Sequence, residues 1–128
     1  MRNVSLVSRF VCNYMKNIVI LISGSGSNIA AIVQAAKQED WQAKFNARIA
    51  AVISNKPDAN GLILASAMGI ETKRLNHFAF ATREAFDAEL MQKIDAYGPV
   101  LVVLAGFMRI LTPGFVTHYT GRLVNIHP

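Results

Sequence analysis

The chain holds a single cysteine, Cys12, in 128 residues. That excludes an internal disulfide and any zinc site built on cysteines. Such sparing use of cysteine fits a reducing compartment, and a cytoplasmic protein is expected. Charge is also scarce: only 16% of residues are Asp, Glu, Lys or Arg, against 52% hydrophobic. A chain of that composition folds rather than staying disordered. Acids are outnumbered by bases, 8 to 13, for a net charge of +5. The bases are scattered from Arg2 to Arg122 with no stripe of interleaved aromatics, so no nucleic-acid partner is expected and small anionic ligands suit the charge better. The longest apolar run, Val100 to Ala105, falls far short of the roughly 18 residues of a membrane span, so no membrane partner is expected. Internal repeats, low-complexity tracts and long linkers are missing as well. His77 lies in a loop and His118 on a short helix, neither with an acid or cysteine at ligand spacing. Both read as structural or surface residues, and no metal site is expected.

What is present is an alternation. Residues 1–14 carry Arg2 and Arg9, no acid and a ragged apolar pattern, and read as a disordered extension. The domain proper is expected over 15–128. Asn17 to Ile22 reads as a buried strand, Asn28 to Gln38 as a helix, and Ala47 to Ile53 as a second strand. Leu62 to Met68 reads as a short helix closed by Gly69, and Ile70 to Leu75 as a polar strand near an edge. Thr82 to Tyr97 is a helix with Thr82 as N-cap and Phe86, Leu90, Ile94 and Tyr97 as its apolar stripe. Val100 to Ala105 reads as a central strand buried on both faces, Thr112 to Tyr119 as a short helical segment, and Leu123 to Ile126 as a last strand. Strands alternating with helices predict an α/β fold: a parallel sheet with helices on its faces.

Three segments could carry chemistry. Ser23-Gly24-Ser25-Gly26-Ser27-Asn28 joins the first strand to the first helix. Glycines admit an anion close to backbone N–H groups at a helix start, so the loop suits a phosphate; it suits a tight turn with a capping Ser or Asn equally well. The loop makes a poor dinucleotide fingerprint, with Ile29 at the third glycine position and no ribose-binding acid after the second strand. The second segment, Gly106 to Leu111, leaves a strand at its C-terminal end, where Met108, Ile110 and Leu111 could line a pocket for a flat ring or simply pack under the loop. The third is Asn125-Ile126-His127-Pro128. Residues two apart on a strand share a face, so a carboxamide and an imidazole would emerge together at the strand end, where α/β sheets place ligands. A carboxamide can stabilise an oxyanion and an imidazole can move a proton near neutral pH. A loop Asn and a surface His would give the same four letters.

The segments together resemble a family. Ile18 to Asn28, Val52 to Lys56, Val103 to Leu111 and Asn125 to Pro128 stand in the order of the N-terminal half of phosphoribosylglycinamide formyltransferases, from about Met15 onward. The resemblance implies a Rossmann-like open, mostly parallel sheet. It implies transfer of a formyl group from 10-formyltetrahydrofolate, as co-substrate, to the amine of glycinamide ribonucleotide in purine biosynthesis. Gly26, Ser27 and Asn28 would hold the ribonucleotide. Arg83, Met108, Arg109, Ile110, Leu111 and Asn125 would contact the folate, and Asn125 and His127 would be catalytic. The family's chain continues past the position of Pro128 and supplies an acid partner for the histidine, so impaired activity is expected of these 128 residues alone. The alternatives are an inactive nucleotide-binding half-domain or another formyl-folate enzyme sharing the Asn-x-His core.

Overall fold

The computed structural model describes residues 15–24 and 27–126. The expected extension over 1–14, and with it the N-terminal boundary, lies outside them. Five strands form one parallel sheet: β1 (Lys16–Ile22), β2 (Ala47–Ser54), β3 (Glu71–Arg74), β4 (Pro99–Ala105) and β5 (Leu123–Ile126). Five α-helices alternate with them: α1 (Ser27–Gln38), α2 (Trp41–Phe45), α3 (Asn60–Ala67), α4 (Arg83–Asp95) and α5 (Pro113–His118). A short 3-10 turn spans His77–Ala79.

The strand order is β3-β2-β1-β4-β5. The chain therefore builds outward from β1 in one direction, returns, and builds outward in the other. β1 is covered on both faces, and its side chains divide by the period of two. Ile18, Ile20 and Ile22 pack with Ile29 and Val33 of α1 and Leu62 and Ala65 of α3. Val19 and Leu21 pack with Phe86, Leu90 and Ile94 of α4 and Phe115 and Tyr119 of the α5 segment. A strand so placed has no polar face, which is why its sequence is aliphatic without alternation.

Three sequence expectations are corrected. β4 lies between β1 and β5 and contributes side chains to both core clusters, as the sequence predicts for Val100 to Ala105, but Val100 itself is 42% exposed. The reason is register: β5 begins beside Val102, and Val100 is the residue skipped where the β1–β4 pairing shifts between Pro99 and Leu101. The strand also begins one residue earlier, at Pro99, where a missing N–H is tolerated. α2 was not foreseen. It is a single turn bracketed by Asp40 and Asn46, both in the left-handed region (φ 51° and 54°), and it buries no residue. It therefore leaves no apolar period to read.

The caps follow the sequence. Thr82 Oγ1 accepts the Ala85 N–H at 3.0 Å, and Thr112 Oγ1 accepts the Phe115 N–H at 3.2 Å ahead of Pro113. Gly69, with φ +81°, ends α3 in the conformation a C-terminal glycine adopts freely. β3 is an edge strand among the described residues, and its Glu-Thr-Lys-Arg sequence suits an edge.

Tyr97, just beyond α4, ties this helix to that edge by donating its hydroxyl to Glu71 Oε2. Burial first, and the Glu71 carboxylate second, push the phenol from 10.0 to about 12. An unfolded chain gives up this proton near pH 10, so the contact stabilises the fold below that pH and its contribution is lost as pH rises towards about 12. Thermal melts should show a steeper loss over this window for the unsubstituted chain than for Tyr97→Phe. Parallel slopes would contradict the assignment.

Candidate functional site

The direction of strand addition reverses between β1 and β4, so the loops leaving these neighbours diverge to opposite faces of the sheet. Open α/β sheets bind ligands in the crevice outside the carboxyl ends at such a reversal. Every segment singled out in the sequence leads to that end. The β1 loop begins at Ser23 and runs into α1. The β4 loop covers Gly106 to Leu111. Asn125 is paired in register with Leu104, which is in turn paired with Leu21. Asn125 is exposed and lies one residue before the end of β5. Arg83 opens α4 at the same end of the sheet and is exposed.

The β4 loop alternates like a strand without being one. Phe107 and Leu111 turn inward against the core, while Met108 and Ile110 are 77% and 69% exposed. Arg109 also turns inward, its Cζ 4.2 Å from the centroid of Phe86. Gly106 begins the loop with φ +74°, a turn that other residues make only with strain. Two large apolar side chains held outward on a short loop form a surface suited to a flat ring. Of the four loop residues proposed from sequence, Met108 and Ile110 are the ones displayed. Arg109 and Leu111 shape the loop from behind.

Polar side chains buried beneath these loops join them. Ser23 Oγ accepts the Met108 N–H at 2.7 Å and donates to Asn55 Oδ1 at 2.6 Å. Asn55 Nδ2 lies 3.3 Å from His77 Nδ1, and the Asn55 carbonyl oxygen lies 3.2 Å from the same ring nitrogen. The Gly61 N–H donates to the Gly24 carbonyl at 3.0 Å, tying the β1 loop to the start of α3. The loops after β1, β2, β3 and β4 are thus linked through Ser23, Asn55 and His77. Ser23 and Asn55 are 1% and 2% exposed, and their hydrogen bonds offset the cost of burying them.

A cleft of about 630 Å³ opens beside this network, lined among others by Asn55, Asp58, His77, Phe78, Met108 and Arg109. Its rim is apolar at Phe78, which is 85% exposed.

Asn28 stands half-buried in the first turn of α1, where backbone N–H groups have no partner within the helix and suit an anion. Ser27 opens that helix. Gly26 and His127 lie outside the described residues. His118, by contrast, is far from this end: it pairs with Asp95 at 2.7 Å, and Asp95 also accepts the Tyr119 hydroxyl at 2.8 Å. Burial, then that carboxylate, raise the Tyr119 phenol well above its ordinary value. This cluster is structural, as the sequence reading of His118 expected. His77, which the sequence also reads as structural or surface, holds Asn55 and lines part of the cleft wall. Ser23, Asn55 and Asp87 were not proposed as site residues. A polar residue directly after an aliphatic strand is the one signal that pointed to Ser23 and Asn55. Nothing local marked Asp87.

Comparison with known proteins agrees with this geometry. The formyl transferase family matches residues 16–128. Phosphoribosylglycinamide formyltransferase of Escherichia coli (strain K12) is 56% identical over 112 residues, covering 88% of this chain and 51% of that protein. The trifunctional purine biosynthetic protein adenosine-3 of Homo sapiens is 36% identical over 129 residues, covering 100% of this chain and 12% of that one. Among solved structures, phosphoribosylglycinamide formyltransferase from Coxiella burnetii superimposes with a TM-score of 0.81 at 45% identity, covering 90% of this chain and 52% of that chain. The chain thus spans about half the length of the single-function relatives it matches.

Proposed function

The chain belongs to the formyl transferase family, and on that premise we propose that it serves the transfer of a formyl group from 10-formyltetrahydrofolate to the amine of glycinamide ribonucleotide. The observation that carries this reading is the joining of the β1 loop to the β4 loop through Ser23, in a sheet whose neighbouring β5 carries Asn125 one residue before its end. One loop suits a phosphate and the other suits a flat ring. A two-substrate transfer needs both in one cleft.

In this reading Gly26, Ser27 and Asn28 hold the ribonucleotide at the N-terminus of α1. Met108 and Ile110 lie against the folate ring, Arg109 and Leu111 set the loop behind them, and Arg83 attracts the donor's carboxylates. The donor supplies an activated formyl carbon. Asn125 donates a hydrogen bond to the formyl oxygen as it gains negative charge. His127 assists proton transfer from the attacking amine towards the departing folate nitrogen. The substrates are small molecules, and sparing cysteine use fits a reaction in the reducing cytoplasm.

An acceptor panel tests the reading. The chain is incubated with the formyl donor and, separately, glycinamide ribonucleotide, methionyl-tRNA or buffer alone. Deformylated folate is expected with the ribonucleotide only, at the impaired rate expected of these 128 residues alone. Release to water or to methionyl-tRNA would move the assignment to another formyl-folate enzyme. Binding of the ribonucleotide without release would reduce the chain to a nucleotide-binding half-domain.

A further inference from the structure

The loop over 106–112 has to display Met108 and Ile110 in a fixed shape, with no strand ladder of its own to hold it. Two buried side chains from elsewhere in the chain take its backbone N–H groups. Ser23, 1% exposed, accepts from Met108 at 2.7 Å. Asp87, also 1% exposed, accepts from Thr112 through Oδ2 at 2.8 Å. Between these points Arg109 stacks on Phe86, the neighbour of Asp87 on α4. The loop is therefore held at its start, middle and end by groups already in place in this structure.

Asp87 is the less expected of the two anchors. A buried carboxylate is costly unless its oxygens are satisfied, and Oδ1 of Asp87 has no partner among the described residues. An apolar residue would fill this position in the core at lower cost. What Asp87 provides that an apolar residue cannot is an acceptor for the Thr112 N–H. Fixing a binding loop before its ligand arrives removes the ordering cost from the binding step.

We infer that Ser23 and Asp87 are positioning residues that clamp the two ends of the 106–112 loop in the shape that receives the formyl donor. Each acts through the loop backbone. The inference rests on the proposed reading in one respect, that this loop contacts the donor.

The test compares Ser23→Ala, Asp87→Ala and Asp87→Asn with the unsubstituted chain. Two ligands are titrated by calorimetry: a stable deaza analogue of 10-formyltetrahydrofolate, and glycinamide ribonucleotide. Amide hydrogen exchange is followed at Met108 and Thr112. Ser23→Ala and Asp87→Ala should each weaken the analogue about tenfold, the scale of one lost positioning hydrogen bond. Asp87→Asn keeps an acceptor for Thr112 and should restore affinity to within about twofold. Ribonucleotide affinity in Asp87→Ala should stay within about twofold, because Asp87 anchors only the donor loop. Exchange should quicken at Thr112 in Asp87→Ala and at Met108 in Ser23→Ala, while β1 and β4 amides stay protected.

Unchanged analogue affinity in folded Ser23→Ala and Asp87→Ala overturns the clamp. So does an Asp87→Asn loss equal to that of Asp87→Ala. If Asp87→Ala does not fold, Ser23→Ala decides alone through analogue affinity and Met108 exchange. If the unsubstituted chain binds no donor analogue, the proposed function fails, and exchange still decides the clamp: faster exchange supports it and unchanged exchange overturns it.

Discussion

Replacing Asn125 with alanine is expected to slow formyl transfer by about a hundredfold to a thousandfold, the effect of removing one oxyanion donor from a preorganised site. Asn125 is exposed at the end of β5, and its side chain belongs to neither core cluster. The substitution should therefore leave the melting temperature within a few degrees, in the range of an ordinary surface change. It removes a hydrogen-bond donor and introduces no charge, so the loss should fall on the chemical step and leave ribonucleotide affinity nearly unchanged. Single-turnover rates with the two substrates, set beside a thermal melt, check both halves. A rate within threefold or so of the unsubstituted chain would remove Asn125 from catalysis on this scale. A collapsed melt would make it structural. His127→Ala is expected to give a loss of about a hundredfold or more, from the general acid-base role alone.

The second large effect is on stability. Phe86→Ala should cost about 3–5 kcal/mol, the range for deleting a large aromatic from a packed core. Phe86 is fully buried, meets Phe80 edge to face at 5.6 Å, and carries the Arg109 guanidinium at 4.2 Å. Domains of this size are stable by about 5–15 kcal/mol in total, so the change removes a large share of what holds the fold. The midpoint of urea unfolding should fall markedly with little change in slope. Phe86→Leu, which keeps most of the volume, should cost clearly less. A Phe86→Ala loss under about 1 kcal/mol would mean that α4 relaxes into the space, and that Phe86 is not the support for Arg109 described above.

The alternation of strands and helices was legible in the sequence because each element carries its own period. Asn17 to Ile22 is aliphatic throughout, Phe86, Leu90 and Ile94 recur at helical spacing, and Thr82 and Thr112 sit where caps belong. The order of the strands was not legible in any one element. Nothing within Val100 to Ala105 shows that β5 joins it only from Val102 onward, or that β1 occupies the middle of the sheet. α2 escaped because one exposed turn between two left-handed residues has no periodic face.

The candidate site divides in the same way. Gly24, Asn28, Met108 and Asn125 stood out because each lies in a short local motif at the end of a strand. The groups that join those motifs did not stand out, because their partners are distant in the chain. Ser23 and Met108 are 85 positions apart, Asn55 and His77 are 22 apart, and Asp87 and Thr112 are 25 apart. Each of these contacts exists only once a parallel sheet has brought its carboxyl ends together. The resemblance to formyltransferases supplied the roles of Arg83 and Ile110, which composition and spacing alone left open.

Formyl transfer as proposed requires one cleft, at the carboxyl ends of β1, β4 and β5, to take both a ribonucleotide and a folate. Amide chemical-shift mapping tests it most directly. Glycinamide ribonucleotide should shift the Gly24 to Asn28 amides, and a stable analogue of the formyl donor should shift Met108 to Leu111. With both bound, Asn125 should respond to each. Shifts gathered elsewhere on the sheet, or a folate analogue that leaves Met108 to Leu111 unmoved, would contradict it.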